Sequence, residues 1–296
     1  SCFGLCVVDE CHHIPSEVFS RALTKVVTPI TLGLSATMKR KDGLESVLRM
    51  YLGPVVYSEQ RDTSGDGLIV RRVQYATTDP AFADVPTDFR GNPLHSSLIT
   101  KLCEHAPRTQ LVASIVRSDL EVSPTRQVMV LSQNKSLLVD LGRAFDGSGH
   151  ASWGFYVGGM KDAQLKATES KRIVLATYAM AAEALDIKSL TTLVLATPRT
   201  DVIQAVGRIL RTRGNSPMVY DVVDMHSVLQ RQAAKRLTYF RKCNYPVFEA
   251  ASDGGLPQEW AEVKRRRTAE KRRPECRVSL GGLEGALART GFGSMR

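Results

Sequence analysis

Directly behind four apolar residues, Leu5, Cys6, Val7 and Val8, the stretch LCVVDECHHIPSEVF sets two adjacent acids, Asp9 and Glu10, and two adjacent histidines, His12 and His13. A carboxylate at a strand end suits Mg²⁺, which takes one or two protein carboxylates and fills its other positions with phosphate oxygens and water. Asp9 is the expected metal ligand. Glu10, one residue on, is placed to orient and deprotonate a water that attacks a phosphoryl group. A rival reading makes Cys2, Cys6, Cys11, His12 and His13 zinc ligands, but alternate strand positions point to opposite faces and the spacing fits no finger pattern. An acid pair at a strand end also serves simply to hydrogen-bond nearby loops.

Three further stretches could carry chemistry. In LGLSATMKRKDGL, Ser35, Ala36 and Thr37 follow an apolar run, where small hydroxyl residues otherwise form turns or caps. TDVIQAVGRILRTRG offers Gln204, Arg208 and Arg211 at spacings of four and three, which puts all three on one face of a predicted helix. Val202, Ile203, Val206, Ile209 and Leu210 supply its expected buried face, so the arginines present planar, permanently charged forks that match phosphate oxygens. In RIVLATYAMAAEALDIKSL, Thr177 ends a predicted strand and Asp186 follows one short helix later, where the plain alternative is a turn.

In this order and spacing the four stretches resemble the motifs of superfamily 2 helicases: DECH, the metal-and-water motif; SAT, the coupling motif; ATYAMAAEALDI, the motif that touches nucleic-acid backbone and nucleotide ribose; and QAVGRILR, the arginine-finger motif. LGLSATMKRKDGLESVLRMYLGPVVY and ITKLCEHAPRTQLVASIV look like the XPB-type DNA helicases, including relatives encoded by large DNA viruses, and the resemblance runs from Cys2 to Tyr245. It implies ATP and Mg²⁺ as cofactors, with Glu10, Arg208 and Arg211 catalytic. Asp9, Gln204 and Asp186 would bind the metal and nucleotide. Ser35, Ala36, Thr37 and His12 would couple the site, and Ser132 and Thr177 would contact nucleic-acid backbone. For Ser132, in VMVLSQNKS, capping of the following helix is an equal alternative. The chain departs from the family at Met38, where a proline is usual, and at Ala184, where a glycine is usual. No Gly-rich GK[ST] phosphate loop is present either.

The elements that must position these residues are legible as period and punctuation. GLCVVD and TLGLSAT read as buried parallel strands flanking a helix, half of an α/β domain. Residues 61–91, rich in Asp, Thr, Gly and Pro, read as an interdomain linker in which only LIVRRVQY alternates like a strand. From 92 to 246, two helices and then QVMVLS, WGFYV, RIVLAT, TTLVLAT and MVYDVV alternate with helical or turn-rich segments, ending in the helix SVLQRQAAKRLTYFRKCNY. The expected fold is therefore α/β, tandem RecA-like domains with parallel sheets: residues 1–60 the C-terminal half of a truncated first domain, 92–246 a complete second one. Residues 247–296 read as a loose basic tail containing KRRRTAEKRR.

Composition sets the partners. The 296 residues carry a formal net charge of +10, which favours a polyanion, nucleic acid before a membrane surface, and by the resemblance DNA before RNA. No apolar run approaches the ~20 residues of a membrane span. Six cysteines without a CxxC pair suggest reduced thiols, hence an intracellular protein of nucleus or cytoplasm, and the resemblance to relatives encoded by large DNA viruses adds a viral factory. The expected function is an ATP-dependent helicase or translocase whose given piece, starting at Ser1 without a phosphate loop, is inactive alone. The alternative is a non-catalytic nucleic-acid-binding module derived from such an enzyme.

Overall fold

The computed structural model describes residues 3–35, 43–58, 67–146, 152–183, 187–209 and 217–263. The chain divides into two compact units, Ser1–Asp62 and Thr63–Arg296. Among the described residues no helix is long and apolar enough to cross a membrane.

In the first unit, β1 (Leu5–Val8) leads through a single 3₁₀ turn at Cys11–His13 to α1 (Glu17–Leu23), then β2 (Ile30–Gly33) and α2 (Glu45–Leu52). β1 and β2 pair in parallel, Leu5 opposite Ile30 and Val8 opposite Gly33, so both strands deliver their carboxyl ends to one edge. A small core forms from Cys11, Ile14 and Leu48, with Val8, Leu23 and Leu52 against it. Gly33 lets these elements pack closely, since a Cβ would lie 2.3 Å from Leu52 Cδ1 and 3.1 Å from Cys11 Sγ and would push the Leu52 side chain aside. The expectation of strands covered on both faces is corrected: Leu5 is 52% exposed and Ile30 61%, with Phe3, Val7, Leu32 and Leu34 also exposed. Among the described residues β1 and β2 pair only with each other, and Leu5, Val7, Ile30 and Leu32 stay open to solvent.

Among the described residues the second unit is built on one eight-stranded sheet. In chain order it contains β3 (Ile69–Tyr75), α3 (Pro80–Ala83), α4 (His95–Glu104), α5 (Ala106–Val122), β4 (Val128–Ser132), α6 (Lys135–Asp146), β5 (Trp153–Tyr156) and α7 (Asp162–Glu169). It continues with β6 (Ile173–Thr177), α8 (Tyr178–Glu183), β7 (Thr192–Leu195), α9 (Ile203–Ile209), β8 (Met218–Asp224), α10 (Ser227–Lys242), β9 (Val247–Ser252) and β10 (Ala261–Glu262). The strand order is β10-β9-β3-β8-β7-β4-β6-β5, parallel except for β10 on β9. Successive side chains of a strand face opposite ways. Val128 and Val130 accordingly join Leu102, Leu111, Val112 and Leu141 on one face. Met129 and Leu131 join Val206, Ile209 and Phe240 on the other. β4, covered on both faces, is therefore the continuous apolar run a parallel sheet demands.

Two boundaries read from the sequence are corrected. Residues 61–91 are not simply a linker, because β3 lies inside the sheet between β8 and β9. Residues 247–296 are not wholly a tail, because Val247–Ser252 pairs with β3. What holds β3 is charge as much as apolar packing. Arg72 is buried opposite Asp221 on β8 and Glu249 on β9 in the strand register. Its Nε donates to Asp221 Oδ2 at 3.2 Å and its Nη1 to Glu249 Oε1. Asp221 also accepts from Arg236 Nε of α10 at 2.8 Å. A second buried pair fixes α5: Arg108 donates to both carboxylate oxygens of Asp224, at 2.5 and 2.9 Å, and to the Ala196 carbonyl at 2.8 Å. Removing one partner of such a pair strands the other charge in a medium of low polarity, which costs about 3–5 kcal/mol.

These boundaries predict how the second unit can be cut. A chain of residues 67–263 should melt in one cooperative transition, whereas residues 92–246 lose β3 and β9, leave Asp221 without Arg72, and should show a broad, non-cooperative melt. Equal cooperativity of the two by circular dichroism would refute the role assigned to β3.

Candidate functional site

In the first unit the two acids sit where the parallel strands end. Asp9 Oδ1 accepts the Glu10 N–H at 2.8 Å, and Glu10 adopts a left-handed backbone (φ 47°, ψ 43°), a conformation disfavoured for residues with a Cβ. The turn is tied to β2 by Cys11 N–H to the Leu34 carbonyl and Leu34 N–H to the Val8 carbonyl, both 2.9 Å. Cys11 and Ile14 anchor it in the core. Glu10 is thereby directed outward, half exposed, with Oε2 3.1 Å from His12 Nδ1. The same nitrogen lies 3.0 Å from Ser35 Oγ. A proton on Nδ1 satisfies both contacts as one three-centre bond between an anionic and a hydroxyl oxygen. His12 thus links the acid pair to the end of β2, and the parallel register of β1 and β2 is what brings the stretches together.

Asp9 is exposed, and its donor set fits Mg²⁺: one hard carboxylate oxygen beyond the one that Glu10 N–H occupies. Among the described residues no group of three His, Cys, Asp or Glu would hold a metal alone, so a cation at Asp9 would complete its shell with phosphate oxygens and water. Cys11, a member of the rival zinc grouping, instead packs its thiol with Ile14 and Leu48. Ala36 and Thr37 lie outside the described residues, as do Met38 and Cys2.

In the second unit Ser132 and Thr177 are register partners at the carboxyl ends of β4 and β6, where ligands of open parallel sheets sit. Thr177 is half-buried at the edge. Ser132 is fully buried: its hydroxyl donates to the Asn134 carbonyl at 2.8 Å and accepts the Asn134 N–H at 2.9 Å. The cap of α6 is Asn134, whose Oδ1 accepts the Ser136 N–H at 2.8 Å, so Ser132 shapes the turn and Asn134 does the capping. The edge is stitched further by Gln133 N–H to Thr197 Oγ1 at 2.8 Å and Tyr178 Oη–H to the Thr197 carbonyl at 2.8 Å, with the Arg199 guanidinium 5.6 Å from the Tyr178 ring centre.

Leu210 lies outside the described residues, while Val202, just before α9, and Val206 and Ile209 on it are buried as expected. Ile203 is not: it is 40% exposed, because it lies four residues before Gly207 on the half-buried side of the helix. Gln204 is half-buried on that helix. A Cβ at Gly207 would meet nothing within 4 Å, so packing inside the unit does not require a glycine there. Arg208 belongs to α9, but its side chain, with Arg211, Asp186 and Ala184, lies outside the described residues. The buried Arg72–Asp221 and Arg108–Asp224 pairs were not found by sequence reasoning; their partners are 149 and 116 residues apart.

No family model matches the chain. It is 30% identical over 266 residues to "Putative ATP-dependent RNA helicase L396" of Acanthamoeba polyphaga mimivirus, covering 87% of this chain and 50% of that protein. It is 26% identical over 282 residues to "Putative ATP-dependent RNA helicase QP509L" of African swine fever virus, covering 88% of this chain and 54% of the relative in the tick isolate Pretoriuskop. The chain thus spans about half the length of the curated relatives it matches. Among solved structures it resembles Saccharomyces cerevisiae Dbp5, bound to RNA and ADP BeF3, with TM-score 0.52, 11% identity and 85% of this chain against 60% of that one. Dbp5 bound to Gle1 and IP6 gives TM-score 0.55 at 12% identity, with 84% and 58% covered. The fold is that of RecA-like helicase domains, and the chain is similar in sequence to viral proteins that carry helicase names.

Thiol chemistry tests whether the acid turn is built as described. Burial pushes the Cys11 thiol up, and pushes Cys103 up to about 11. The folded protein holds the Cys103 proton more tightly than the unfolded chain does, so this burial is neutral to stability below the ordinary thiol value of 9.0 and favours unfolding as pH rises above it. At pH 8, iodoacetamide should modify Cys11 and Cys103 only after denaturant is added, as read by peptide mass spectrometry. Rapid native labelling of Cys11 would show that the turn carrying Glu10 is not packed.

Proposed function

We propose that this chain is part of an ATP-dependent superfamily 2 helicase of the XPB type, with the metal and water residues in the first unit and the arginines in the second. The contact of Glu10 with His12, and of His12 with Ser35, carries the reading, because it joins the acid motif to the coupling motif through one imidazole. The bound nucleotide with Mg²⁺ would supply the phosphoryl group and its charge neutralisation. Asp9 would hold the metal. Glu10 would position the attacking water and accept its proton, its carboxylate aimed by the left-handed turn and by His12. Arg208 and Arg211 would stabilise charge on the transferring group, with Gln204 and Asp186 contacting the nucleotide. Thr177, on the exposed carboxyl edge, would contact nucleic-acid backbone, while Ser132 would act through the turn it holds.

The open apolar face of β1 and β2 supports the further proposal that the first unit is the later half of a RecA-like domain, completed by chain that carries the phosphate loop. The relatives' names favour RNA over the DNA expected from motif resemblance, so both are arms of the test. A non-catalytic nucleic-acid-binding module is the second reading, supported by the formal net charge of +10, which favours a polyanionic partner whether or not nucleotide is turned over.

Phosphate release stimulated by single-stranded RNA or DNA separates the two readings. In a protein carrying this chain behind a phosphate-loop segment, Glu10→Gln should abolish turnover while leaving nucleotide binding intact. Arg208→Ala should lower the rate on the order of 10³-fold, the scale of arginine fingers. Oligonucleotide binding without any stimulated phosphate release in the unsubstituted protein would leave the binding module, and release indifferent to both substitutions would overturn the roles given to Glu10 and Arg208.

A further inference from the structure

The loop between α3 and α4 ends in a tip that the residues assigned above leave without a role. Phe89 at its apex is 91% exposed, and the Arg90 guanidinium lies 5.1 Å from its ring centre. A single exposed phenylalanine is ordinary on a protein surface. This one stands on a preorganised support. Thr87 and Pro93 form an antiparallel bridge, and Leu94 N–H reaches the Pro86 carbonyl at 2.8 Å. Within the tip, Asp88 Oδ1 accepts the N–H groups of Arg90 and Asn92 at 2.8 Å each, and Oδ2 accepts the Asn92 side-chain amide at 3.1 Å. Gly91, at φ 79°, makes the turn that no residue with a Cβ adopts readily. The bonds from Asn92 hold the Asp88 carboxyl below its usual range, the mark of a carboxylate engaged by the loop's own amides.

The base of the loop is equally fixed. Phe82 of α3 packs against the rings of His105 and His226, with centroids 4.4 and 5.0 Å away, and its carbonyl lies 2.8 Å from His226 Nε2. The acids nearby are engaged: Asp79 lies 3.4 Å from His105 Nε2 and Asp84 3.5 Å from Lys101 Nζ. At the apex the Asp88 carboxylate is turned onto the loop's own amides, and Arg90 beside the Phe89 ring is the cationic group there. The loop leaves the sheet at the carboxyl end of β3, the edge at which β4 and β6 end in Ser132 and Thr177. β3 and β4 are separated by β8 and β7, three strand spacings or about 14 Å, a few nucleotides of single strand.

We propose that Phe89 and Arg90 form a stacking platform for an unpaired base of a single-stranded nucleic acid lying along the carboxyl edge of this sheet. The proposal rests on the nucleic-acid reading given above and adds a base contact to its backbone contacts. A flat ring held clear of the core offers one face to a base of any identity, and an adjoining guanidinium adds cation–π and phosphate attraction. Because the support is already ordered, little conformational freedom is lost on binding.

The test is equilibrium binding of a single-stranded oligonucleotide carrying 2-aminopurine, and of a blunt duplex, to this chain at several salt concentrations. Phe89→Ala should weaken single-strand binding roughly 5- to 150-fold, the range of base–aromatic stacking, without changing the salt slope, and should lose the quenching of 2-aminopurine. Phe89→Trp should restore both. Arg90→Ala should flatten the single-strand salt slope by about 0.7, as for one phosphate contact. Asp88→Ala, which loosens the tip without removing the ring, should weaken single-strand but not duplex binding. Wild-type affinity and quenching in Phe89→Ala, with its melting temperature unchanged, would overturn the platform and leave the tip to a protein partner. A wild-type chain that binds no oligonucleotide would overturn the nucleic-acid reading itself.

Discussion

Asp221 sits on β8 with no exposed surface and accepts from two guanidinium groups, Arg72 of β3 and Arg236 of α10. A carboxylate taken out of water is tolerated only when paired and hydrogen-bonded, and the same holds for each arginine. The three therefore stand or fall together. Arg72 also reaches Glu249, its register partner on β9, so a row of acid, base and acid crosses three adjacent strands. A shift of one residue in β3 would turn Arg72 to the opposite face of the sheet, away from both acids. Apolar side chains in this row would bury as well, but would tolerate alternative registers more readily; a slip that set Arg71 opposite Asp221 would break its bond to Tyr220 Oη and bring Arg72 opposite Val222, a buried apolar position.

The pinned register governs the carboxyl edge. With β3 fixed, Tyr75 ends opposite Asp224, and Asp224 grips Arg108 in the first turn of α5, which also holds the carbonyl that follows β7. Tyr75 Oη lies 3.1 Å from His105 Nδ1 at the junction of α4 and α5, and His105 packs on Phe82. The edge that carries Thr177 and the Phe89 tip is thus tied back, bond by bond, to charges in the middle of the sheet. The rigidity a binding edge needs comes from the fold's interior, which is the arrangement that keeps contacts in place when a loop alone would not.

Local chemistry was legible in the sequence and distant pairing was not. Strands β4, β6, β7 and β8 announced themselves as short apolar runs because both faces are covered. β3 alternates like a strand but lies in a stretch rich in Asp, Thr, Gly and Pro that reads as a linker, and the acids that neutralise Arg72 lie 149 and 177 residues further on. β9 was assigned to the tail for a related reason: its pattern of VFEAAS is weak alone and gains meaning only beside β3. The acid pair and Ser35 stand out because polar groups directly behind apolar strands are visible in the sequence, and His12 contacts both Glu10 and Ser35. The local use of Ser132 could not, since a hydroxyl at a strand end serves equally to contact a ligand or to hold a turn, and only the geometry with Asn134 decides.

Glu10 shows the same dependence on register at smaller scale. A left-handed backbone at a residue with a Cβ costs about 1–3 kcal/mol and persists only where the surroundings determine it. Here the surroundings are the Asp9 carboxylate on the Glu10 N–H, the Leu34 carbonyl on the Cys11 N–H, and the buried side chains of Cys11 and Ile14. One of these ties belongs to the segment that follows β2, and so does Ser35, which meets His12 at the nitrogen that also faces Glu10. A displacement of that segment would therefore act on Glu10 twice, through the backbone that sets its conformation and through the imidazole that sets its carboxylate. That double attachment is a physical basis for coupling: whatever moves the end of β2 alters the acid without touching it.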